Sequence, residues 1–145
     1  MRLFYMERYA CYANQIRQEI HRNPEIGYDL GNTLAVIRRE LTEMGIPYTE
    51  KFGKSSIVGV INPEKAGFTI GIRADMDALP IQEQTQANYA STVDGVMHAC
   101  GHDMHTAMLL GAAKILKKHE DSLKGAVKLM FQPAEETLEG CKDMI

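Results

Sequence analysis

Two stretches in the first third of the chain place apolar residues at helical spacing. Residues 5–21 predict one amphipathic helix, which should end at His21-Arg22-Asn23-Pro24-Glu25 because proline disfavours a helical conformation at the residue before it. Residues 30–44 predict a second helix, which should stop at Gly45. The two apolar stripes consist of Tyr9, Tyr12, Ala13, Ile16 and Ile20, and of Leu30, Leu34, Ile37 and Leu41.

Shorter stretches rich in β-branched residues follow and predict strands at residues 56–61 and 68–74. The segment between them contains proline and glycine, so we expect a hairpin turn that joins the two strands. A further strand is predicted within residues 124–132, after a helix that begins near His102. This order of strands, helix and strand predicts an α/β sheet with at least one parallel pair.

Residues 98–105 combine three imidazoles, one thiol and one carboxylate, each of which can bind a metal ion once deprotonated. Gly101 lets the backbone turn tightly between Cys100 and His102, so that both side chains could meet at one ion. The segment lies at a predicted helix N-terminus, where the dipole favours an anionic ligand such as a thiolate. The alternative is a buried cysteine beside surface histidines, but the density of ligands favours a metal site.

Residues 75–101 form a long connection between a predicted strand and the helix near His102. Connections of that length in compact domains are usually functional or disordered. Asp75 and Asp77 leave the carboxyl end of the strand, where open α/β sheets place their ligands. A solvated turn is the alternative for these two acids, and the ligand-rich segment at the other end of the connection favours function.

Glu135 and Glu136 follow the last predicted strand directly. One glutamate could bind a metal ion while its neighbour acts as general base on metal-bound water. The alternative is a pair of acids in the first turn of a helix, which we expect to start at Glu135 or Glu136, where they would interact with the helix dipole. Because both ligand-bearing segments adjoin the same predicted sheet, we favour convergence at one metal site.

The length, composition and charge of the chain limit the classes of protein to which it could belong. The chain has 145 residues, of which 45% are hydrophobic, enough for one domain with a real core. A net charge of -3 and a pI near 5.9 give no electrostatic reason to expect nucleic acid or an anionic membrane as partner. The polar start and the lack of a spanning apolar run predict a cytoplasmic location. An odd number of cysteines, three, argues against a disulfide framework.

Four ordered motifs extend over nearly the whole chain. They are His21-Arg22-Asn23-Pro24-Glu25, Arg73-Ala74-Asp75-Met76-Asp77-Ala78-Leu79-Pro80, Met97-His98-Ala99-Cys100-Gly101-His102-Asp103 and Gln132-Pro133-Ala134-Glu135-Glu136. Together they resemble the aminoacylase-type metallo-amidohydrolases, the relatives of hippurate hydrolase, N-acetyl-diaminopimelate deacetylase and the plant auxin-conjugate hydrolases. The resemblance implies a three-layer α/β/α, zinc-peptidase-like domain that has a mixed sheet with flanking helices and a dinuclear metal centre. It also implies cleavage of the amide bond of N-acyl amino acids.

The resemblance assigns roles to the matching positions. Glu135 falls on the general base, which deprotonates the water between the metals and then protonates the leaving amine. The wider superfamily takes a ligand from a His-x-Asp motif on the strand that ends near Ala74, and here Cys100 with His102 replaces it. The implied metal ligands are Cys100, His102 and Glu136, and the implied supporting residues behind them are Asp75 and Asp77.

Three other histidines, His21, His105 and His119, match no ligand position of the family. For His21, in the last turn of the first helix, we favour a role as partner of the helix dipole. The full-length enzyme is expected to bind two divalent ions. Thiolate and imidazole ligands fit zinc, whereas the carboxylate also permits manganese or cobalt.

Members of the resembled family are much longer and take further histidine ligands from segments beyond the two glutamates. We therefore interpret residues 1–145 as the N-terminal portion of the catalytic α/β domain, without the lid and dimerisation domain. The predicted function is metal-dependent hydrolysis of N-acyl amino acids by a homo-oligomeric full-length enzyme. We expect the isolated chain to be inactive, with uncovered apolar faces that make it self-associate or rely on contacts that replace its missing half. The alternative is a non-catalytic fragment that holds one structural zinc, or no metal, and acts through a partner surface.

Overall fold

The computed structural model, which describes residues 2–142 and 144, contains a mixed sheet with flanking helices. All predicted helices and strands before Gln132 are confirmed, with ends shifted by a few residues. A two-residue strand, Tyr48–Thr49, and a short 3-10 turn, Glu120–Ser122, were not predicted. The elements are α1 (Arg2–Arg22), α2 (Gly31–Glu43), β1 (Tyr48–Thr49), β2 (Ile57–Ile61), β3 (Phe68–Asp75), α3 (His102–Lys118) and β4 (Gly125–Gln132).

The four strands are ordered β1-β2-β4-β3. Strand β4 pairs antiparallel with β2 and parallel with β3, so the expected parallel pair is confirmed. The expected hairpin between β2 and β3 is wrong, because β4 lies between them. Their connection is instead fastened to the 3-10 turn, where Asn62 Nδ2 donates to the carbonyl oxygen of Glu120 at 2.7 Å and Lys65 Nζ to that of Asp121 at 2.9 Å.

One hydrophobic core joins the helices to a single face of the sheet. In β4, Val127, Leu129 and Phe131 are buried, whereas Lys128 is exposed and Met130 is half-buried. This alternation fixes the strand register, since a shift by one residue would turn the buried side chains to the other face. The helical contribution to the core includes Ile16, Ile20, Leu34, Ile37, Leu41, Leu109 and Leu110. None of the described helices has the length and apolarity needed to cross a bilayer.

The first motif has a structural role. The Glu25 carboxylate accepts hydrogen bonds from the backbone N–H groups of Asn32 and Thr33, both at 2.8 Å. The first N–H groups of a helix lack partners within the helix, so this carboxylate stabilises the start of α2. The carbonyl oxygen of Glu25 also accepts the N–H of Ala78 at 2.7 Å, which ties the segment after β3 to the same place.

Residues 76–101 contain no helix and no strand of the sheet, in agreement with the long connection that the sequence predicts here. Two isolated bridges, Ile26–Ala78 and Leu79–Met97, hold its ends. Leu79 and Met97 exchange both backbone hydrogen bonds at 3.0 Å. The residues that leave β3 and the residues that enter α3 are therefore brought side by side.

Strand β3 forms an open edge of the described sheet and exposes large apolar side chains. Phe68 is 91% exposed and Ile70 is 61% exposed. On the neighbouring helix α3, Met104 and Met108 are also exposed. Unpaired strand edges with apolar side chains favour association with another chain.

We expect the 145-residue chain to self-associate through this edge and the substitution Ile70→Lys to shift it toward monomer, because a charge on an edge strand opposes pairing. Sedimentation velocity over a range of concentrations measures the change. Val93→Lys is the matched control, since Val93 is also exposed but lies in the long connection. Equal association of the parent chain and Ile70→Lys would contradict the expectation.

Candidate metal centre

Three side chains from two separate segments converge beyond the carboxyl ends of β3 and β4. Cys100, His102 and Glu136 each offer one ligand atom within 4.8 Å of the other two. His102 is buried, Glu136 is half-buried and Cys100 is exposed, so the group opens to solvent with the imidazole at its base. The structure thus brings together the three residues that the sequence proposed as ligands.

The hydrogen bonding of His102 selects one ring nitrogen as a possible ligand. Its Nδ1 lies 2.8 Å from the backbone oxygen of Asp77, and a carbonyl oxygen only accepts. In the neutral ring Nδ1 therefore carries the proton, and Nε2 keeps a lone pair. That nitrogen lies 3.8 Å from Glu136 Oε1 and 3.7 Å from Glu135 Oε2. Metal-binding histidines are commonly oriented by such a partner on the other nitrogen.

Asp77 lies behind the three possible ligands and links the segment of His102 to the segment of Glu135 and Glu136. Its two carboxylate oxygens accept the backbone N–H groups of Glu135 at 3.0 Å and Glu136 at 3.2 Å. Burial alone would raise the pKa of Asp77, but the interaction with His102 and these N–H groups lower it below its usual value. Asp77 is therefore held as a carboxylate that fixes both glutamates relative to His102.

Glu135 and Glu136 lie in a turn, so the expected helix start at this position is wrong. Ala134 and Leu138 have left-handed backbone angles, with φ of 51° and 59°, and no helix forms in the described residues after β4. At Gly140 an added Cβ would meet the carbonyl oxygen of Pro133 at 1.7 Å, which shows how tightly the chain folds back. The Asp77 carboxylate accepts the N–H groups that a helix start would leave unpaired, so the helix-dipole alternative for the two acids is also wrong.

The two glutamates differ in their relation to Cys100. Glu136, rather than Glu135, joins Cys100 and His102 in a three-residue group. The Glu135 side chain is 36% exposed, against 21% for Glu136. A more accessible carboxylate beside the ligand group can exchange protons with water and substrate, which fits the expected division into ligand and base.

The electrostatics of Cys100 differ from the expectation that a helix N-terminus favours its thiolate. A hydrogen bond to Glu136 and the negative charges of Glu136, Glu135 and Asp75 hold the pKa of the thiol above its usual value. Burial would lower the pKa of His102, but its hydrogen bonds to Asp77 and the nearby carboxylates raise it. Both shifts favour the protonated forms, so a metal ion that binds the Cys100 sulfur or His102 Nε2 competes with a proton there.

We accordingly expect metal binding to release protons and to strengthen as pH rises. Below the thiol pKa, mass action makes the apparent association constant rise by up to about tenfold per pH unit for each proton displaced. Calorimetric titration with zinc, in buffers of different ionisation enthalpy at two pH values, counts the protons. Cys11→Ser should behave as the parent, since Cys11 lies on α1. A zinc affinity that does not change with pH would contradict this expectation.

A buried charge cluster, which the sequence did not predict, adjoins the start of α3. His21 Nδ1 lies 2.7 Å from Asp103 Oδ2, and Arg17 Nε donates to the same oxygen at 3.1 Å. His21 Nε2 lies 3.3 Å from Glu83. Two carboxylates are thus the partners of His21, so its interpretation as a partner of the helix dipole was incomplete. The available signal was that His21 and Asp103 both belong to the four motifs.

Two other histidines of residues 98–105 lie outside the ligand group. His98 is 4% exposed, and neither ring nitrogen has a hydrogen-bond partner in the described part of the chain. Burial lowers the pKa of His98 to about 4, so its ring is neutral. His105 stacks on His102, with ring centroids 5.5 Å apart. Cys11, Cys100 and Cys141 are free thiols.

Comparisons with known proteins match this fold and these motifs. The family model described as peptidase family M20/M25/M40 matches residues 71–145. The chain is 48% identical over its 145 residues to IAA-amino acid hydrolase ILR1-like 6 of Arabidopsis thaliana, and covers 31% of that protein. It is 49% identical over 131 residues to hippurate hydrolase of Campylobacter jejuni, an alignment that covers 90% of this chain and 34% of that protein.

A solved structure is also similar. It is that of a Bacillus subtilis protein described as a dinuclear metal binding peptidase from the M20 family, with a TM-score of 0.90 and 41% identity. The match covers 94% of this chain and 39% of that chain. The chain spans about a third of the length of the curated relatives it matches.

Proposed function

Because the chain belongs to peptidase family M20/M25/M40, we propose that it supplies part of the metal site of a hydrolase that cleaves the amide bond of N-acyl amino acids. The observation that carries this proposal is the convergence of Cys100, His102 and Glu136. Relatives that hydrolyse IAA-amino acids and hippurate support the substrate class. Both are conjugates in which an acyl group is joined to an amino acid through an amide bond.

The donor set fits a divalent metal ion. A thiolate, an imidazole with its lone pair on Nε2 and a carboxylate are ligands that zinc accepts, and a carboxylate also suits manganese or cobalt. The Asp77 carbonyl fixes the imidazole tautomer that such binding requires. When bound, a divalent ion would polarise the acyl carbonyl and lower the pKa of a water molecule toward neutrality.

Glu135 would transfer the proton. Its carboxylate takes a proton from the attacking water, and the same proton then passes to the nitrogen of the leaving amine when the C–N bond breaks. Asp77 supports this step by holding the backbone of Glu135 and Glu136 through two hydrogen bonds. Asp75 would support the site from the opposite end of the same short segment.

The whole protein is proposed to bind two ions and to form a homo-oligomer in the cytoplasm. Residues 1–145 would form the N-terminal portion of its catalytic domain. Within these residues the matched positions supply three ligands, Cys100, His102 and Glu136, which suffice for one ion with water at the remaining position. Further histidine ligands would come from the part of the protein that corresponds to the rest of its relatives.

We expect the 145-residue chain to bind one zinc ion and to show no turnover of N-acetyl or N-benzoyl amino acids with added zinc, manganese or cobalt. Three protein ligands hold one ion, so Glu135 would lack the second ion that helps to activate its water. Elemental analysis measures the bound zinc, and an assay of the released amino acid measures turnover. The same assay on a full-length enzyme containing this sequence should show metal-dependent turnover. Turnover by the short chain that Glu135→Gln abolishes would contradict the three-ligand count. A folded, metal-free chain and an inactive full-length protein would support a non-catalytic role.

A further inference from the structure

A second group of ligand side chains also contains His102. Asp75, His102 and His105 each offer one ligand atom within 4.8 Å of the other two. We name this group the carboxylate triad, and the group of Cys100, His102 and Glu136 the thiolate triad. His105 takes no part in the proposed hydrolysis, and no role for it followed from the sequence.

The two carboxylate oxygens of Asp75 face different partners. Asp75 is 5% exposed, and its Oδ1 forms an ion pair with the guanidinium of Arg73. Its Oδ2 lies 3.5 Å from His105 Nδ1, beyond the usual hydrogen-bond range. The side chain of His105 is exposed, so a small movement would bring its Nδ1 and Asp75 Oδ2 within reach of one ion.

The two triads must compete for one ring nitrogen. His102 Nδ1 donates to the Asp77 carbonyl, so each triad can use only Nε2 while that bond is present. A single nitrogen lone pair binds one ion. The triads are therefore alternative sites for one metal ion, and they do not form a pair that fills together.

The two triads also differ in chemical preference. A thiolate strengthens binding of zinc, whereas a set of two imidazoles and one carboxylate suits harder ions such as manganese(II) and iron(II). The side chain of His105 is 49% exposed, so an ion could reach the carboxylate triad from solvent. His105 stacks on His102 with ring planes 22° apart, so the two imidazole rings lie next to each other.

We propose that Asp75, His102 and His105 form a second, overlapping cation site that takes Mn²⁺, while Zn²⁺ occupies Cys100, His102 and Glu136. The identity of the metal then selects the ligands around His102. This inference rests on the proposed function only in requiring that His102 Nε2 binds metal.

The test uses the 145-residue chain and three variants, with Mn²⁺ binding followed by electron paramagnetic resonance and Zn²⁺ binding by competition with a chromophoric chelator. Cys100→Ser should weaken zinc binding by roughly a hundredfold or more and leave manganese binding within about threefold of the parent. His105→Asn should weaken manganese binding by roughly tenfold or more and leave zinc binding unchanged. His119→Asn, outside both triads, is the matched control and should change neither. Circular dichroism spectra verify that each variant is folded.

The outcomes separate this inference from the proposed function. Unchanged manganese binding in His105→Asn, or equal loss of both metals in Cys100→Ser, would overturn the second site and leave the thiolate triad intact. Unchanged zinc binding in Cys100→Ser would instead overturn the metal site of the proposed function. A thiolate-to-metal absorption band with Co²⁺ that persists in His105→Asn and disappears in Cys100→Ser would support the thiolate triad as a metal site.

Discussion

Replacing Glu135 by glutamine in a full-length enzyme that contains this sequence should lower kcat by about a hundredfold or more, while the metal content remains unchanged. Glutamine keeps the shape of the side chain but cannot accept a proton from water at neutral pH. The backbone hydrogen bond from Glu135 to Asp77 does not depend on the side chain, so the turn should keep its position. Steady-state kinetics and elemental analysis of the same preparation measure the two quantities.

The matched control for this change is Glu139→Gln, because Glu139 is an exposed glutamate of the same chain segment. It should leave kcat and metal content unchanged. Loss of metal from Glu135→Gln would show that Glu135 is the ligand and that Glu136 is the base. Full activity with bound metal would exclude Glu135 from proton transfer.

Replacing Cys100 by alanine should abolish tight zinc binding, with affinity lower by roughly a hundredfold or more. The change removes the one thiolate of the thiolate triad and leaves His102 and Glu136, which are too few protein ligands for a stable zinc site. The raised pKa of the Cys100 thiol does not oppose this expectation, since a bound zinc ion displaces the proton. Elemental analysis after dialysis measures the zinc that remains.

Cys11→Ala and Cys141→Ala are the controls, because both residues are exposed free cysteines that belong to neither triad. Each should retain as much zinc as the parent chain. Retention of zinc by all three variants would remove Cys100 from the ligand set. Loss of zinc from all three would point to a general effect of thiol removal on folding, which a thermal unfolding curve would reveal.

The elements that the sequence predicted well are those set by local periodicity. The apolar stripes of α1 and α2 and the β-branched stretches of β2 to β4 identify which residues face the core. Strand pairing depends on contacts between distant residues, so the turn signals at Asn62 and Gly67 did not show that β4 separates β2 from β3. Likewise the turn at Glu135 and Glu136 donates its N–H groups to the carboxylate of Asp77, which lies 58 residues before Glu135 in the chain.

In the candidate site, too, local sequence patterns were predictable and contacts between distant residues were not. Spacing within one segment placed Cys100 beside His102, and the motifs placed Glu136 with them, as the structure does. The buried partner of His21 is Asp103, which is 82 residues away in the chain. Local pattern carries no information about such a pair. His105 lies outside the four motifs, and its proximity to Asp75 arises only when β3 and α3 pack together.

The position of Asp77 also links metal affinity to folding. Its carbonyl orients His102 and its carboxylate holds Glu135 and Glu136, so the site exists only when β3 and β4 are paired and α3 is in place. A denatured chain scatters these groups, and an ion that prefers the native arrangement therefore adds its binding free energy to the stability of the fold. At a free metal concentration of a hundred times Kd, the gain is about 2.7 kcal/mol. In a cell, the supply of metal would then influence how long the protein survives proteolysis as well as how fast it works.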